Sequence, residues 1–295
     1  MFDVAGFGES SIDFVHVLPE LPGPGIAKLP IESQYESCGG QVATALAACA
    51  ALGLKAAYLG PLGDDANGRR IRDELGSRGV DLSRMAVRRA ATRYAIVLVE
   101  KRRGERMVLS GRDPGLNLDV GEITTRLVEG TRVLHLDDTD EAASIEIARR
   151  GRDVRAIVTC DVESVSGRTA ELLSHVSIPI LAGTVPQMLT GVTGVESSLR
   201  ALRRRHQGML CVTLGDRGAA ALDGDRFVSV PAVQVEAVDT TGAGDVFRAG
   251  FIYGVLREWP VERMLRFANA AAAISCRSKG AMTSVPTLDQ VEGHL

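Results

Sequence analysis

Apolar residues in this chain fall in short unbroken blocks, and most blocks are followed by stretches whose apolar positions recur at helical spacing. Residues 2–7 read as a buried strand. Gly39-Gly40 then opens an Ala-rich helix over 41–52, which Gly53 is placed to stop. A short strand at 55–59, a loop at 60–65 and a helix at 66–75 follow. From about residue 120 the alternation becomes regular: helix 121–129, strand 132–136, helix 140–151, strand 155–160, helix 166–174, strand 176–182, helix 194–206 and strand 209–214. A run with strand character at 232–238 leads into a helical pattern at 246–256. Strands alternating with helices predict an α/β fold, a parallel sheet covered by helices on both faces.

Two stretches break the alternation. Residues 14–37 are rich in Pro and Gly and then turn extended. Residues 92–100 and 106–110, joined by 101–105, read as a hairpin. The simplest placement of both is a small sheet standing off the main one as a lid. No repeat, low-complexity tract or clear linker divides the chain, so residues 1–295 are expected to form one folding unit with lid segments at about 14–37 and 92–110.

A chain of 295 residues and 31.3 kDa with 45% hydrophobic content suits one large α/β domain with an ample core. A formal charge of −3 gives no reason to expect nucleic acid. The cysteines (Cys38, Cys49, Cys160, Cys211 and Cys276) show no metal-ligand spacing and suit free thiols in a reducing cytosol. The chain opens directly on a strand without a signal peptide, and no apolar run approaches the ~18 residues of a membrane span. A soluble, cytoplasmic protein is expected. Gly6-Phe7-Gly8 followed by Ser11 breaks the dinucleotide fingerprint, and the chain has no Gly-Lys-Ser/Thr of a P-loop.

The chemistry concentrates in Val238-Asp239-Thr240-Thr241-Gly242-Ala243-Gly244-Asp245. A small-residue turn leading into a helix leaves backbone N–H groups unpaired at the positive end of the helix dipole, which makes an anion site. The carboxylate of Asp245 at its edge suits removal of a proton from a hydroxyl that attacks a phosphoryl group. An ordinary capped helix start is the alternative.

Asp13, six residues past the first strand, offers a bidentate acceptor for adjacent sugar hydroxyls or serves as a cap. Gly39-Gly40 signals close backbone approach. Residues 212–218 read as strand, turn, strand, and 267–273 as a helix of small side chains that packs on something flat, for which an adenine ring is one candidate. Asp137-Asp138 is a substrate or metal contact or a solvated loop. Arg248, on the helix face of Asp245, meets an acidic substrate group or pairs with a nearby acid. Lys28 is an anion contact or a solvated lysine.

The string Asp239-Thr240-Thr241-Gly242-Ala243-Gly244-Asp245 resembles the C-terminal signature of the PfkB/ribokinase family of sugar and nucleoside kinases. The first strand, Asp13, Gly39-Gly40 before an Ala-rich helix, and Gly60-x-x-Gly63-Asp64-Asp65-x-x-Gly68 resemble its N-terminal signature, so the likeness covers almost the whole chain. It implies a three-layer α/β/α fold with a mainly parallel central sheet and a small β-sheet lid. It assigns Gly242, Ala243 and Gly244 to the anion hole and Asp245 to the catalytic base. Asp13, Gly39, Gly40, Gln41 and Thr44 are assigned to the sugar site, and Thr213, Gly215, Gly218, Asn269 and Ala272 to ATP. It also implies magnesium, and a potassium-type cation held by Asp239, by the backbones of Thr241, Ser275, Ser278 and Gly280, and by Ser284.

The chain departs from the family in two places. Thr44 stands where most relatives have Asn. Ala182 and Val185 replace the Asn-x-x-Glu that organises magnesium, a loss shared with ketohexokinase-like and sulfofructose-kinase-like branches. The activity implied is ATP-dependent phosphorylation of a primary hydroxyl of a small, ketohexose-like sugar by a homodimer joined through its lids. An adenosine-type nucleoside kinase is the nearest rival, against which an aromatic content of 4% weighs. The other is a non-catalytic sugar- or nucleotide-binding protein on the same fold.

Overall fold

The computed structural model describes residues 1–102 and 105–295. Its strands are β1 (Phe2–Phe7), β2 (Ser11–Leu18), β3 (Ser33–Gly39), β4 (Ala56–Tyr58), β5 (Pro61–Gly63), β6 (Ala86–Arg88), β7 (Tyr94–Glu100), β8 (Arg106–Gly111), β9 (Thr131–Asp137), β10 (Ile157–Val162), β11 (Ile178–Ala182), β12 (Leu210–Thr213), β13 (Ala219–Asp223) and β14 (Arg226–Val230). The helices are α1 (Gln41–Ala51), α2 (Ala66–Ser77), α3 (Thr125–Val128), α4 (Glu141–Asp153), α5 (Thr169–His175), α6 (Val185–Thr190), α7 (Val195–Arg203), α8 (Ala243–Leu256), α9 (Val261–Ser275) and α10 (Leu288–Glu292).

Eight strands form the large sheet in the order β14-β13-β12-β11-β10-β9-β1-β4. It is parallel from β12 through to β4, while β13 and β14 run antiparallel at one edge. The inner strands are apolar on both faces because both faces are covered. On one face Val42 and Leu46 of α1 pack with Phe251 of α8 and Phe267 of α9. On the other, Ile147 of α4, Leu172 of α5 and Leu199 of α7 form a second core.

The small sheet has the order β3-β2-β7-β8. β2 and β7 pair in parallel, and the two outer pairs are antiparallel. One face buries Val15, Ala95 and Val97. On β8, Met107, Val108 and Leu109 are exposed. The turn expected between the hairpin strands includes residues 103 and 104, which lie outside the described residues.

Four expectations need correction. Residues 232–238 form no strand, because no strand among the described residues pairs with them. Their apolar side chains line a cavity instead, and the N–H groups of Val238 and Asp239 both donate to the Cys276 carbonyl. The helix expected at 121–129 breaks into a 3-10 turn (Val120–Glu122) and the short α3. Helix α6 lay hidden in the run around Pro186, which sits in its first turn, with Gly191 ending it at φ 71°. Asp13 lies within β2, so the small sheet begins at residue 11 and carries this residue itself.

Candidate active site

Gly242 caps α8 in the left-handed region, at φ 79°. A side chain there would come within 2.9 Å of Ala281 Cβ and 3.3 Å of Thr44 Cγ2. The loop is therefore wedged between the 280s segment and α1. The Ala243 N–H donates to the Thr240 carbonyl at 3.3 Å, while the N–H groups that follow it in the first turn are those a helix start leaves without carbonyls one turn back. Thr44 is fully buried against this loop and its hydroxyl has no hydrogen-bond partner among the described residues.

Asp245, one residue past Gly244, is 9% exposed. Burial pushes its carboxyl well above the ordinary carboxylate range; Arg248 pulls it back, while Asp161, Glu163 and Glu9 add to the rise. Arg248 follows one turn on, 2% exposed, with Nη1 3.9 Å from Asp245 Oδ1. Its other nitrogen pairs with Asp161 at the end of β10, and Glu163 lies 3.8 Å away. Burial lowers the proton affinity of this guanidinium, but Asp161, Asp245 and Glu163 outweigh that and raise it. Gln41 Nε2 donates to the second Asp161 oxygen at 3.1 Å, which ties the start of α1 to the same cluster. Of the two readings for Arg248, pairing with acids is the one the geometry supports.

On the small-sheet side, Asp13 Oδ1 accepts from Ser11 Oγ at 2.8 Å, and burial raises its pKa. A methyl group on Gly39 would lie 2.3 Å from Asp13 Oδ2, so only glycine admits this carboxylate beside the backbone. Gly40, at φ 94°, caps α1 and packs on residues 9 and 10.

Glu9 lies within electrostatic reach of both Asp13 and Asp245. Burial lifts its carboxyl to about 7; Arg93, 2.8 Å away, pulls it down, while Asp137 and Asp13 push it up. The acids Asp137 and Asp138 have parted. Asp137 is buried, lifted to about 6, and accepts from the Glu9 and Thr139 N–H groups. Asp138 organises the loop after β10 through Ser164. Lys28 is exposed.

The other side of the loop faces a cavity of about 450 Å³ whose wall includes Thr213, Gly215, Gly218, Gly244, Asn269 and Ala272. Asn269 Nδ2 also donates to the carbonyls of Val230 and Pro231, at 3.1 and 3.0 Å, and so fixes α9 to the end of β14. A second cavity of about 510 Å³, bordered by Thr184, Gln187, Thr213 and Gly215, adjoins it.

Residues 1–288 match the description "pfkB family carbohydrate kinase". The chain belongs to the pfkB family of carbohydrate kinases. It is 30% identical to Fructokinase-1 of Oryza sativa subsp. japonica, over 96% of this chain and 94% of that protein. It is 32% identical to an ATP-dependent ribose-1-phosphate kinase of Halopiger xanaduensis, over 94% of this chain and 92% of that one. The structure of Arabidopsis thaliana ribokinase complexed with ribose and ATP superimposes with a TM-score of 0.86 at 25% identity, covering 99% of this chain and 98% of that one. The fold is thus ribokinase-like, and the chain is an ATP-dependent sugar kinase.

In this pfkB kinase the positions expected for Asn-x-x-Glu do not face the site with polar groups. Val185 is fully buried and Ala182 packs against the second core. Among the described residues no group of three or more His, Cys, Asp or Glu is arranged to hold a metal.

The residues expected to hold a potassium-type cation do converge, but the charged one is already engaged. Asp239 Oδ1 accepts from Arg106 Nη2 at 2.6 Å and from the Thr241 N–H and hydroxyl, at 2.9 and 2.7 Å. Its Oδ2 accepts from the Gly280 N–H at 3.0 Å and the Tyr35 hydroxyl at 3.2 Å. The Ser275 and Ser284 hydroxyls donate to the carbonyls of Ala272 and Ala281, and the Ser278 N–H approaches the Ser275 carbonyl at 3.4 Å. The charge of Asp239 is thus already balanced by Arg106.

Glu9, Arg93, Asp161, Tyr35 and Arg106 escaped the sequence reading. Glu9 and Asp161 stand at the carboxyl ends of β1 and β10, and that position was the usable signal.

Proposed function

We propose that this kinase transfers the γ-phosphoryl group of ATP to a primary hydroxyl of a small, ketohexose-like sugar, with Asp245 as the general base. One observation carries the reading. Asp245 sits in the first turn of α8, whose residues Ala243 and Gly244 border the 450 Å³ cavity, and Glu9, which in turn lies within electrostatic reach of Asp13, is within electrostatic reach of Asp245. A phosphoryl group held by the 242–244 amides would meet a hydroxyl whose proton Asp245 accepts. Gly242, Ala243 and Gly244 supply the anion hole; Asp13, Gly39, Gly40 and Gln41 shape the sugar pocket. Thr213, Gly215, Gly218, Asn269 and Ala272 border the nucleotide. Thr44 supports the loop from behind.

Magnesium enters as its complex with ATP, since the chain offers no acid cage of its own among the described residues. The small sheet of β2, β3, β7 and β8 acts as the lid that excludes water during transfer. Exposed Met107, Val108 and Leu109 on its edge strand favour a homodimer joined through the lids. The five unbridged cysteines favour a cytoplasmic setting. No helix among the described residues is long and apolar enough to cross a membrane.

A sugar is favoured over a nucleoside by how the aromatic side chains of the small sheet are used. Phe14 and Tyr94 pack edge-to-face on each other at 6.4 Å, and Tyr35 spends its hydroxyl on Asp239. These are the only Phe, Tyr or Trp residues in the four strands of the small sheet, which gives a base little surface to stack on. A protein that merely bound sugar would have no use for a buried carboxylate held beside an anion site, since its burial is costly. The test is ATP turnover over a panel of ketoses, aldoses and nucleosides. Turnover with a ketose supports the proposal; turnover with nucleosides alone, or none at all with ATP bound, would overturn it.

A further inference from the structure

We propose that Arg106 takes the place of the monovalent cation beside the anion loop, so that the enzyme works without potassium. The inference rests on the kinase reading above. A carboxylate offers about four lone-pair sites. Asp239 is buried and already accepts from five donors, two of them side chains from the small sheet. No lone pair remains for a metal ion, and a second positive charge would sit beside the guanidinium.

Arg106 also does what a cation there would do. Its Nη2 neutralises Asp239, and its Nη1 donates to Thr241 Oγ1 at 2.6 Å, clamping the backbone that turns into Gly242-Ala243-Gly244 one residue later. A planar guanidinium bridging two acceptors is better suited to that than an ammonium or a spherical ion. The carboxylate responds accordingly: burial would raise its pKa, but the Gly280 and Thr241 donors together with Arg106 hold it below the ordinary value.

The clamp is carried by the small sheet. Arg106 opens β8 and Tyr35 lies in β3, the two outer strands of that sheet, and both end on Asp239. Seating the sheet therefore completes the anion loop, so that closure over the sugar and assembly of the anion hole become one event. A soluble ion would leave the two uncoupled.

The experiment has two arms. In the first, crystals of the wild-type protein and of Arg106→Ala are soaked in thallium(I), whose anomalous signal reports a bound monovalent cation whether or not any sugar is turned over. Wild type is expected to show no thallium at Asp239, and Arg106→Ala to show it. Thallium at Asp239 in wild type overturns the proposal. In the second arm, turnover is compared in potassium, sodium and tetramethylammonium chloride at equal ionic strength. Wild type is expected to vary by less than twofold. Arg106→Ala is expected to fall at least tenfold and to regain rate in potassium but not in tetramethylammonium. A several-fold activation of wild type by potassium, or a variant that potassium does not help, would also overturn it. If no sugar or nucleoside is turned over under any salt, the kinase reading has failed and the thallium arm still decides the Arg106 assignment.

Discussion

Arg248 Nη1 stands 3.9 Å from Asp245 Oδ1 while the same guanidinium is anchored to Asp161. Asp245 thus has a fixed positive charge behind it. A methyl group on Gly244 would overlap Arg248 Nη1 at 2.4 Å, so the turn at Gly244 and this arginine, with Asp245 between them, form one packed unit. Burial raises the Asp245 pKa, and Arg248 opposes that rise.

Replacing Arg248 with Met removes the positive charge that lowers the Asp245 pKa. A base must be deprotonated to act, so the acid limb of the kcat/KM profile should move to higher pH. Turnover at neutral pH should fall and return at alkaline pH. Asp161 also loses its partner, and breaking a buried pair typically costs about 3–5 kcal/mol of stability. A pH–rate profile and a denaturant titration of the variant check both. An unmoved acid limb would remove Arg248 from the electrostatics of the base.

Gly39→Ala should act on the sugar and spare the nucleotide. Its methyl group would meet Asp13 Oδ2 at 2.3 Å, and the carboxylate must shift to admit it. Displacing a substrate-positioning group by about 1 Å can cost on the order of 10²-fold, so kcat/KM for sugar should fall by about that factor. KM for ATP should stay unchanged. Steady-state kinetics with each substrate varied in turn separates the two.

Val108 is 58% exposed on β8, between Met107 and Leu109. If the lids pair, Val108→Glu places a charge in the joint, and light scattering at micromolar concentration should register a dimer for wild type and a monomer for the variant. A monomeric wild type would contradict the dimer.

The sheet was legible because strands buried on both faces leave unbroken apolar blocks, as at Val4 and Ala5 or Val133 and Leu134. The turn into α8 was legible because its geometry is local: Gly242 needs a positive φ, and the helix follows at once. Arg106 lies 133 residues from Asp239, Arg248 lies 87 from Asp161, and Glu9 lies 128 from Asp137, so these pairings arise only when the sheet topology is complete. The run at 232–238 misled for a related reason. Its apolar residues have the composition of a strand, but they face a cavity and have no neighbouring strand to bond. Propensity records that a residue suits a half-buried surface, and a ligand cavity presents the same surface.

The role of Asp245 is tested most directly by the turnover of Asp245→Asn with the preferred sugar at saturating ATP. Asparagine keeps the shape and a hydrogen bond to the sugar hydroxyl but cannot accept its proton. General-base catalysis contributes about 10²–10⁴-fold, so kcat should drop by that order while ATP affinity holds or tightens, because the loop amides remain and a nearby negative charge is gone. Near-normal kcat in this variant would contradict the assignment of Asp245 as the base.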